Sequence, residues 1–197
     1  MIYSKILSTG SYLPQQVMTN HDFAERMDTS DEWIRTRTGI EQRHIAAANE
    51  SSTDLAYYAA RDALQVANID PASIDLIIVA TSTPEHLFPS NASQLQMRLG
   101  CGNIPAFDMQ AACSGFVFAL ATADNFIRAG SSKRALVIGA EVFSNILDWS
   151  DRSTAILFGD GAGAVILEAS DTPGIHGSVL HSDGRYKDLL LVPRGSG

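Results

Sequence analysis

The sequence predicts an α/β domain with helices layered on a mixed sheet, and three observations carry that expectation. Two runs, Leu76–Val79 and RALVIGAEV from Arg134, are apolar on both sides, as strands covered on both faces of a sheet are. Segments with helical spacing alternate with such strands along the chain. The chain then closes with two strand-like stretches joined by short turns, STAILFGDGAGAVILEAS and GIHGSVLHSDG, which predicts an antiparallel edge.

Taken in order, Tyr3 to Thr9 alternates moderately and is expected to be a strand that ends at Gly10. Asp28-Thr29-Ser30-Asp31-Glu32-Trp33 combines capping residues with early acids, the mark of a helix start. A longer helix should begin near Ser52 or Thr53, with Leu55, Ala59, Ala63 and Val66 on one face. After Asn68 and Pro71, Leu76–Val79 is a central parallel strand. Ser90 to Leu99 is a helix and Ile104 to Met109 a short strand. Ser114 to Arg128 is apolar almost all round (Phe116, Val117, Phe118, Leu120, Ala123, Phe126, Ile127), so it should be buried rather than amphipathic. Gly130 supplies its C-terminal stop. No internal repeat or low-complexity linker interrupts the chain. Leu190 to Gly197 adds no closing element, and Leu191–Ser196 spells an engineered protease-cleavage site, by design or by chance. The chain reads as cut rather than finished.

With 197 residues, 45% hydrophobic and 18% charged, the chain suits a compact globule of one large domain or two small ones. A formal net charge of -8 argues against nonspecific binding to nucleic acid or an anionic membrane, while leaving room for a local basic patch. The N-terminus lacks the basic and apolar regions of a signal peptide, and no apolar run approaches the ~18 residues of a membrane span. The cytoplasm is the expected compartment. Cys101 and Cys113 form one disulfide at most, nothing suggests an oxidising compartment, and the sequons at Asn49 and Asn91 carry no weight without secretion.

Cys113 stands apart. It follows the strand ending at Met109, opens an apolar helix, and has Ala111, Ala112, Ser114 and Gly115 as neighbours. Free N–H groups and the macrodipole at a helix N-terminus favour a thiolate, and small neighbours leave room for a substrate carbonyl beside it. The Cys113 N–H is itself a candidate to hold an oxyanion. Spacing alone fits a small core cysteine somewhat better than a nucleophile. Cys101, in the loop LGCGN, has no such setting and is expected to be inert.

Four stretches together, TSDEWIRTRTGI (Thr29–Ile40), AACSGF (Ala111–Phe116), Asp151-Arg152 and FGDGAGAV (Phe158–Val165), resemble the beta-ketoacyl-acyl-carrier-protein synthase III family of condensing enzymes. The resemblance runs from residue 1 to about residue 190. It implies a thiolase-like α/β fold of which only the N-terminal half is present, with residues 1–170 forming that half and 171–197 starting a connection to a second. It further implies decarboxylative Claisen condensation of acetyl-CoA with malonyl-acyl-carrier-protein, initiating fatty-acid biosynthesis. Cys113 would be the nucleophile that carries the acyl group. Trp33 and Arg152 would sandwich the CoA adenine, with Thr29 and Arg37 near the adenine and phosphates, and Phe88 would cap the acyl pocket of a partner in a homodimer. No cofactor and no metal is implied, acetyl-CoA being a substrate.

FGDGAG could pass for a dinucleotide-binding fingerprint, but strand-like residues follow it where that motif requires a helix, so a tight glycine turn between two strands near Cys113 is expected. The family also uses a histidine, an asparagine and an oxyanion-hole glycine from its second half. His21, His44, His86, His176 and His181 match neither catalytic position, His86 being expected on a surface loop. The chain alone should therefore be inactive, and its unpartnered faces should leave an apolar patch. Two other readings stay open: a related condensing enzyme with another acyl-CoA starter, for quinolone or polyketide synthesis, and a noncatalytic thiolase-like half that binds a partner.

Overall fold

The protein, seen in a computed structural model, is described over residues 2–192. In chain order its elements are β1 (Tyr3–Tyr12), β2 (Gln16–Thr19), α1 (Asn20–Ala24), α2 (Asp31–Thr38), β3 (Gln42–Ile45), α3 (Ser52–Ala67), β4 (Leu76–Ala80), α4 (Asn91–Leu99), β5 (Ala106–Met109), α5 (Gly115–Arg128), β6 (Arg134–Val142), α6 (Arg152–Ala155) and β7 (Asp160–Ser170). Five strands make one mixed sheet in the order β1-β7-β6-β4-β5. β4 is parallel to β5 and β6, and β7 is antiparallel to β6 and β1.

Alternation along each strand divides the core in two. Ile77, Val79, Leu136, Ile138, Ala164 and Ile166 face α3 and α4, where they meet Leu55, Ala59, Ala63 and Leu95. Leu76, Ile78, Ala80, Ala135, Val137 and Leu167 face α5 and meet Ala119, Ala123 and Ile127. β4 is buried along its whole length, as a strand covered on both faces must be. Serine caps set the helix starts, with Ser30 before α2, Ser51 before α3 and Ser90 before α4, and each side chain accepts a first-turn N–H. Gly130 follows α5 at φ +75°, the left-handed stop expected of it.

Several expectations need correction. Gly10 lies inside β1, because α3 crosses there so closely that a Cβ would sit 2.2 Å from the Ala63 amide nitrogen. Val66 is 64% exposed, since the buried stripe of α3 drifts to Ala60, Ala63 and Leu64 by its last turn. α5 is buried on one side only: Val117 is exposed, because nothing among the described residues covers the flank facing away from the sheet. Its one buried carboxylate, Asp124, is satisfied by the Ser4 hydroxyl at 2.6 Å and by Arg128.

The antiparallel edge exists, but β1 forms it with β7. GIHGSVLHSDG is not a strand: the Ile175 N–H donates to Ser4 O at 2.9 Å, and the glycines and polar residues that follow give no apolar face to hold against the sheet. FGDGAG is not a turn between strands either. Gly161 and Gly163 lie within β7, which α6 precedes, although a strand does follow the motif. The start of β7 is fixed by buried Asp160, which accepts from Ala46 N, Ser144 N and Ser144 Oγ. The protease-site reading of Leu191–Ser196 falls mostly outside the described residues. Among these residues no helix is long and apolar enough to cross a membrane.

A second, two-stranded sheet pairs β2 with β3 and carries a small core of Met18, Phe23, Ile34, Ile45, Ala155 and Ile156. Buried Arg43 ties this unit together. Its guanidinium lies over Phe23 and donates to Asn20 Oδ1 and Ile156 O, while Asn20 donates to Asp31 Oδ1 at the start of α2. α2 and α6 are thereby held side by side.

Candidate active site

The parallel strands β4 and β6 end on the same side of the sheet, the usual ligand side of an α/β layer. The chain leaving β5 turns there into α5. The turn is a single 3-10 stretch, Ala112–Ser114, so Cys113 sits just before the helix rather than as its first residue. Ala112 holds φ +46°, a left-handed value that L-residues with a Cβ seldom adopt. Ser114, in the cap position, makes no side-chain hydrogen bond, so no side-chain cap claims the first-turn N–H groups of α5. Cys113 is exposed and free.

Cys113 opens onto a cavity of about 480 Å³ lined by Leu13, Ala80, Phe116, Phe143 and Phe158 together with small residues of β6 and β7. Phe143 and Phe158 stack with centroids 4.8 Å apart and planes 9° from parallel, making one flat wall. Gly139 lies beneath Phe116, where a Cβ would come within 3.5 Å of the ring. Gly161, Ala162 and Gly163 of β7 complete the lining, which is what the glycine-rich motif contributes next to the cysteine.

Sequence reasoning missed Glu141. It is the last residue but one of β6, lines the same cavity, and accepts from Ser82 N at 2.8 Å and Thr83 Oγ1 at 2.5 Å. Burial pushes its carboxyl above the ordinary range, and the hydrogen bonds from Thr83, Ser82 and Thr81 oppose that shift. The available signal was a charge near the end of an otherwise apolar strand.

The nucleotide-site candidates do gather. The guanidinium carbon of Arg37 is 4.3 Å from the centre of the Trp33 ring, and that of Arg152 is 4.6 Å away. Arg152 also donates to Asp28 O at 2.5 Å. Thr29, next to Asp28, has a buried Oγ1 with no hydrogen-bond partner among the described residues. Trp33 thus forms the floor of a small cationic patch made by α2 and α6, with Arg152 resting directly on the ring.

Phe88 is 84% exposed and does not line its own chain's Cys113 cavity. His86 is on the surface, as expected. Cys101 is buried, and burial pushes its thiol up, which suits an unreactive residue. Asn91 of the second sequon is fully buried, donating to Ser52 Oγ and accepting from Glu85 N.

Comparison with known proteins places these features in one company. A family profile described as 3-oxoacyl-[acyl-carrier-protein] synthase III matches residues 107–184, which run from β5 through Cys113 and β7. The chain is 59% identical over 191 residues to the beta-ketoacyl-[acyl-carrier-protein] synthase III of Methylococcus capsulatus, covering 97% of this chain and 60% of the relative. It is 59% identical over 194 residues to the Neisseria meningitidis protein of the same name, covering 98% and 61%. The crystal structure of the Pseudomonas aeruginosa 3-oxoacyl-(acyl carrier protein) synthase III superposes with a TM-score of 0.89 at 44% identity, covering 97% of this chain and 60% of that one. The chain therefore spans about three fifths of the length of the relatives it matches.

Proposed function

We propose, from its likeness to the beta-ketoacyl-[acyl-carrier-protein] synthase III proteins and their α/β fold, that the chain belongs with that family and supplies the acyl-accepting half of a condensing enzyme of fatty-acid biosynthesis. In a full-length chain carrying these residues, the Cys113 thiolate attacks the carbonyl of acetyl-CoA. The carbon–sulfur bond to CoA breaks, CoA leaves as its thiolate, which takes up the proton that Cys113 gave up on ionising, and the acetyl group stays on Cys113. Malonyl-acyl-carrier-protein then loses carbon dioxide, and the resulting carbanion attacks the acetyl carbon. This forms the new carbon–carbon bond, breaks the acyl bond to Cys113 and returns the Cys113 thiolate.

The observation that carries the reading is the setting of Cys113. An exposed sulfur, before an uncapped helix N-terminus, opens on a cavity walled by Phe116, Phe143 and Phe158. The Ser114 and Gly115 N–H groups donate to Ala111 O and Ala112 O, so the Cys113 N–H is the group we assign to the oxyanion of a tetrahedral intermediate. The Trp33, Arg37 and Arg152 patch supports the CoA assignment, with Arg152 swinging off the ring to admit the adenine and Thr29 Oγ1 free to take a polar contact. By the family resemblance, the histidine and asparagine that serve decarboxylation belong to the part of the relatives this chain does not span, so residues 1–197 alone should not complete the cycle. Residues 171–197 begin the connection to that part. We assign exposed Phe88 to the acyl pocket of a second protomer, which implies a homodimer, and place the enzyme in the cytoplasm.

The test is mass spectrometry of the full-length protein after incubation with acetyl-CoA. One acetyl group should appear, and peptide mapping should place it on Cys113. Cys113→Ala should abolish the adduct while leaving the melting temperature within a few degrees. No adduct on the folded wild-type protein would end the proposal.

A further inference from the structure

We infer that Arg43 is a positioning residue for the acyl-CoA donor: it sets the distance between Trp33 on α2 and Arg152 on α6, and with it the grip on the CoA nucleotide. The inference deepens the acyl-transfer reading above and rests on it. Arg43 is only 6% exposed, so it works through its neighbours rather than on a ligand. On one side Nη2 donates at 2.7 Å to the carbonyl oxygen of Ile156, the residue that ends α6. On the other, Nη1 donates to Asn20 Oδ1 at 2.9 Å. The Asn20 amide then holds α2 at both ends. It donates to Oδ1 of Asp31, the first residue of the helix, at 2.9 Å, and to Ile40 O, just past the last turn, at 2.7 Å. Asn20 is fully buried, so its lost partners would not be replaced by water.

Two features mark this bridge as more than packing. Arg43 has no ion pair among the described residues: its partners are an amide oxygen, backbone carbonyls and the Phe23 ring, 4.6 Å away. For stability alone, a buried cation so placed is a poorer choice than an apolar side chain. Secondly, α6 has four residues, too few to hold itself in place, so its position against α2 is set by what it is tied to. The link from α6 to β7 is shaped to this side chain, since a Cβ on Gly159 would come within 2.8 Å of Arg43 Cβ. A base held between the Trp33 ring and the Arg152 guanidinium needs contact on both faces. A gap of about 0.5–1 Å there forfeits a quarter to a half of the contact energy. A bridge that fixes both walls therefore governs nucleotide affinity without entering the chemistry at Cys113.

The test uses the full-length protein and two donors that share the acetyl thioester: acetyl-CoA, and S-acetyl-N-acetylcysteamine, which lacks the nucleotide. Acetylation of Cys113 is followed by mass spectrometry at several donor concentrations, giving a half-saturating concentration and a saturating rate. Asp31→Ala and Asp31→Asn both remove a charge from α2, but only asparagine keeps an oxygen for the Asn20 amide. Asp31→Ala should raise the half-saturating concentration of acetyl-CoA about three- to tenfold, with its saturating rate and the reaction of the short thioester unchanged. Asp31→Asn should stay within about twofold of wild type throughout. Arg43→Lys, which keeps the cation but does not span both acceptors, should behave as Asp31→Ala or more strongly. Should that variant fail to fold, the Asp31 pair decides. Equal losses with the two donors, a loss confined to the saturating rate, or identical behaviour of the two Asp31 variants overturns the inference while wild-type loading stays intact. A wild-type protein that gains nothing from the nucleotide defeats the CoA assignment, and one acetylated by neither donor defeats the acyl-transfer reading; the inference falls with either.

Discussion

Ala112 holds φ +46° immediately before Cys113, a conformation that costs a residue with a Cβ about 1–2 kcal/mol. Glycine adopts it freely but adds disorder to the unfolded chain, so Ala112→Gly should be neutral or stabilising by up to about 1 kcal/mol. Ala112→Val places a β-branched side chain at the same φ and should destabilise by about 2 kcal/mol or more. Denaturant titration of the full-length protein checks both, and equal stabilities for the two variants would show that the turn is not strained. The strain was illegible in the sequence because alanine does not announce a positive φ, whereas Gly130 did. The strand, turn and helix around Cys113 were legible through its small neighbours and the apolar run behind it, but its exposure was not, since the same residues suit a core cysteine. Glu141 was passed over because the strand RALVIGAEV was read for its hydrophobicity alone, without regard to the charge near its end. In the fold that end is the wall of a cavity.

At the scale of elements, capping chemistry gives a pH signature. At the start of α3, burial alone would raise the carboxyl of Asp54, but hydrogen bonds from Ser51 N and Ser51 Oγ and the nearby Arg98 outweigh it, and the group titrates below its ordinary 3.8. A carboxylate depressed by folding contributes stability that is complete above the ordinary value and is lost as pH falls through the folded one. Asp54→Ala should therefore cost about 1 kcal/mol at neutral pH, and the gap to wild type should close below pH 3.8. Unfolding curves at neutral and acid pH measure that gap, and a constant gap would contradict the cap's electrostatic role. The long elements α3, β4 and α5 were legible because each has enough residues to show a period or a cap. β2, β3, α1 and α6, at four or five residues each, were not. α1 and α6 carry local caps at Thr19–Asp22 and Asp151, but what holds these short elements together is tertiary contact, chiefly through Arg43, which local sequence does not record. Gly10 misled for a related reason: a glycine that ends a strand and one that admits a crossing helix look alike until the helix is placed.

For the molecule as a whole, the layered α/β order followed from the apolar strands and the helices between them, but the sequence could not say which faces would lie open. Val117 on the outer flank of α5, with Ile6, Leu13 and Val17, leaves apolar surface without a covering partner among the described residues. Residues 1–197 made alone should accordingly self-associate, whereas a full-length chain should not; light scattering behind a sizing column distinguishes them, and a monodisperse, cooperatively melting monomer of the short chain would contradict the expectation. The central claim is that Cys113 receives an acyl group and passes it on. It is tested most directly by loading the full-length protein with isotope-labelled acetyl-CoA, removing free CoA, and chasing with malonyl-acyl-carrier-protein. The account predicts that label bound at Cys113 leaves it on the chase and reappears as the terminal carbons of a ketoacyl group on the carrier protein. Label that stays on Cys113, or that reaches the carrier protein without having occupied Cys113, would contradict it.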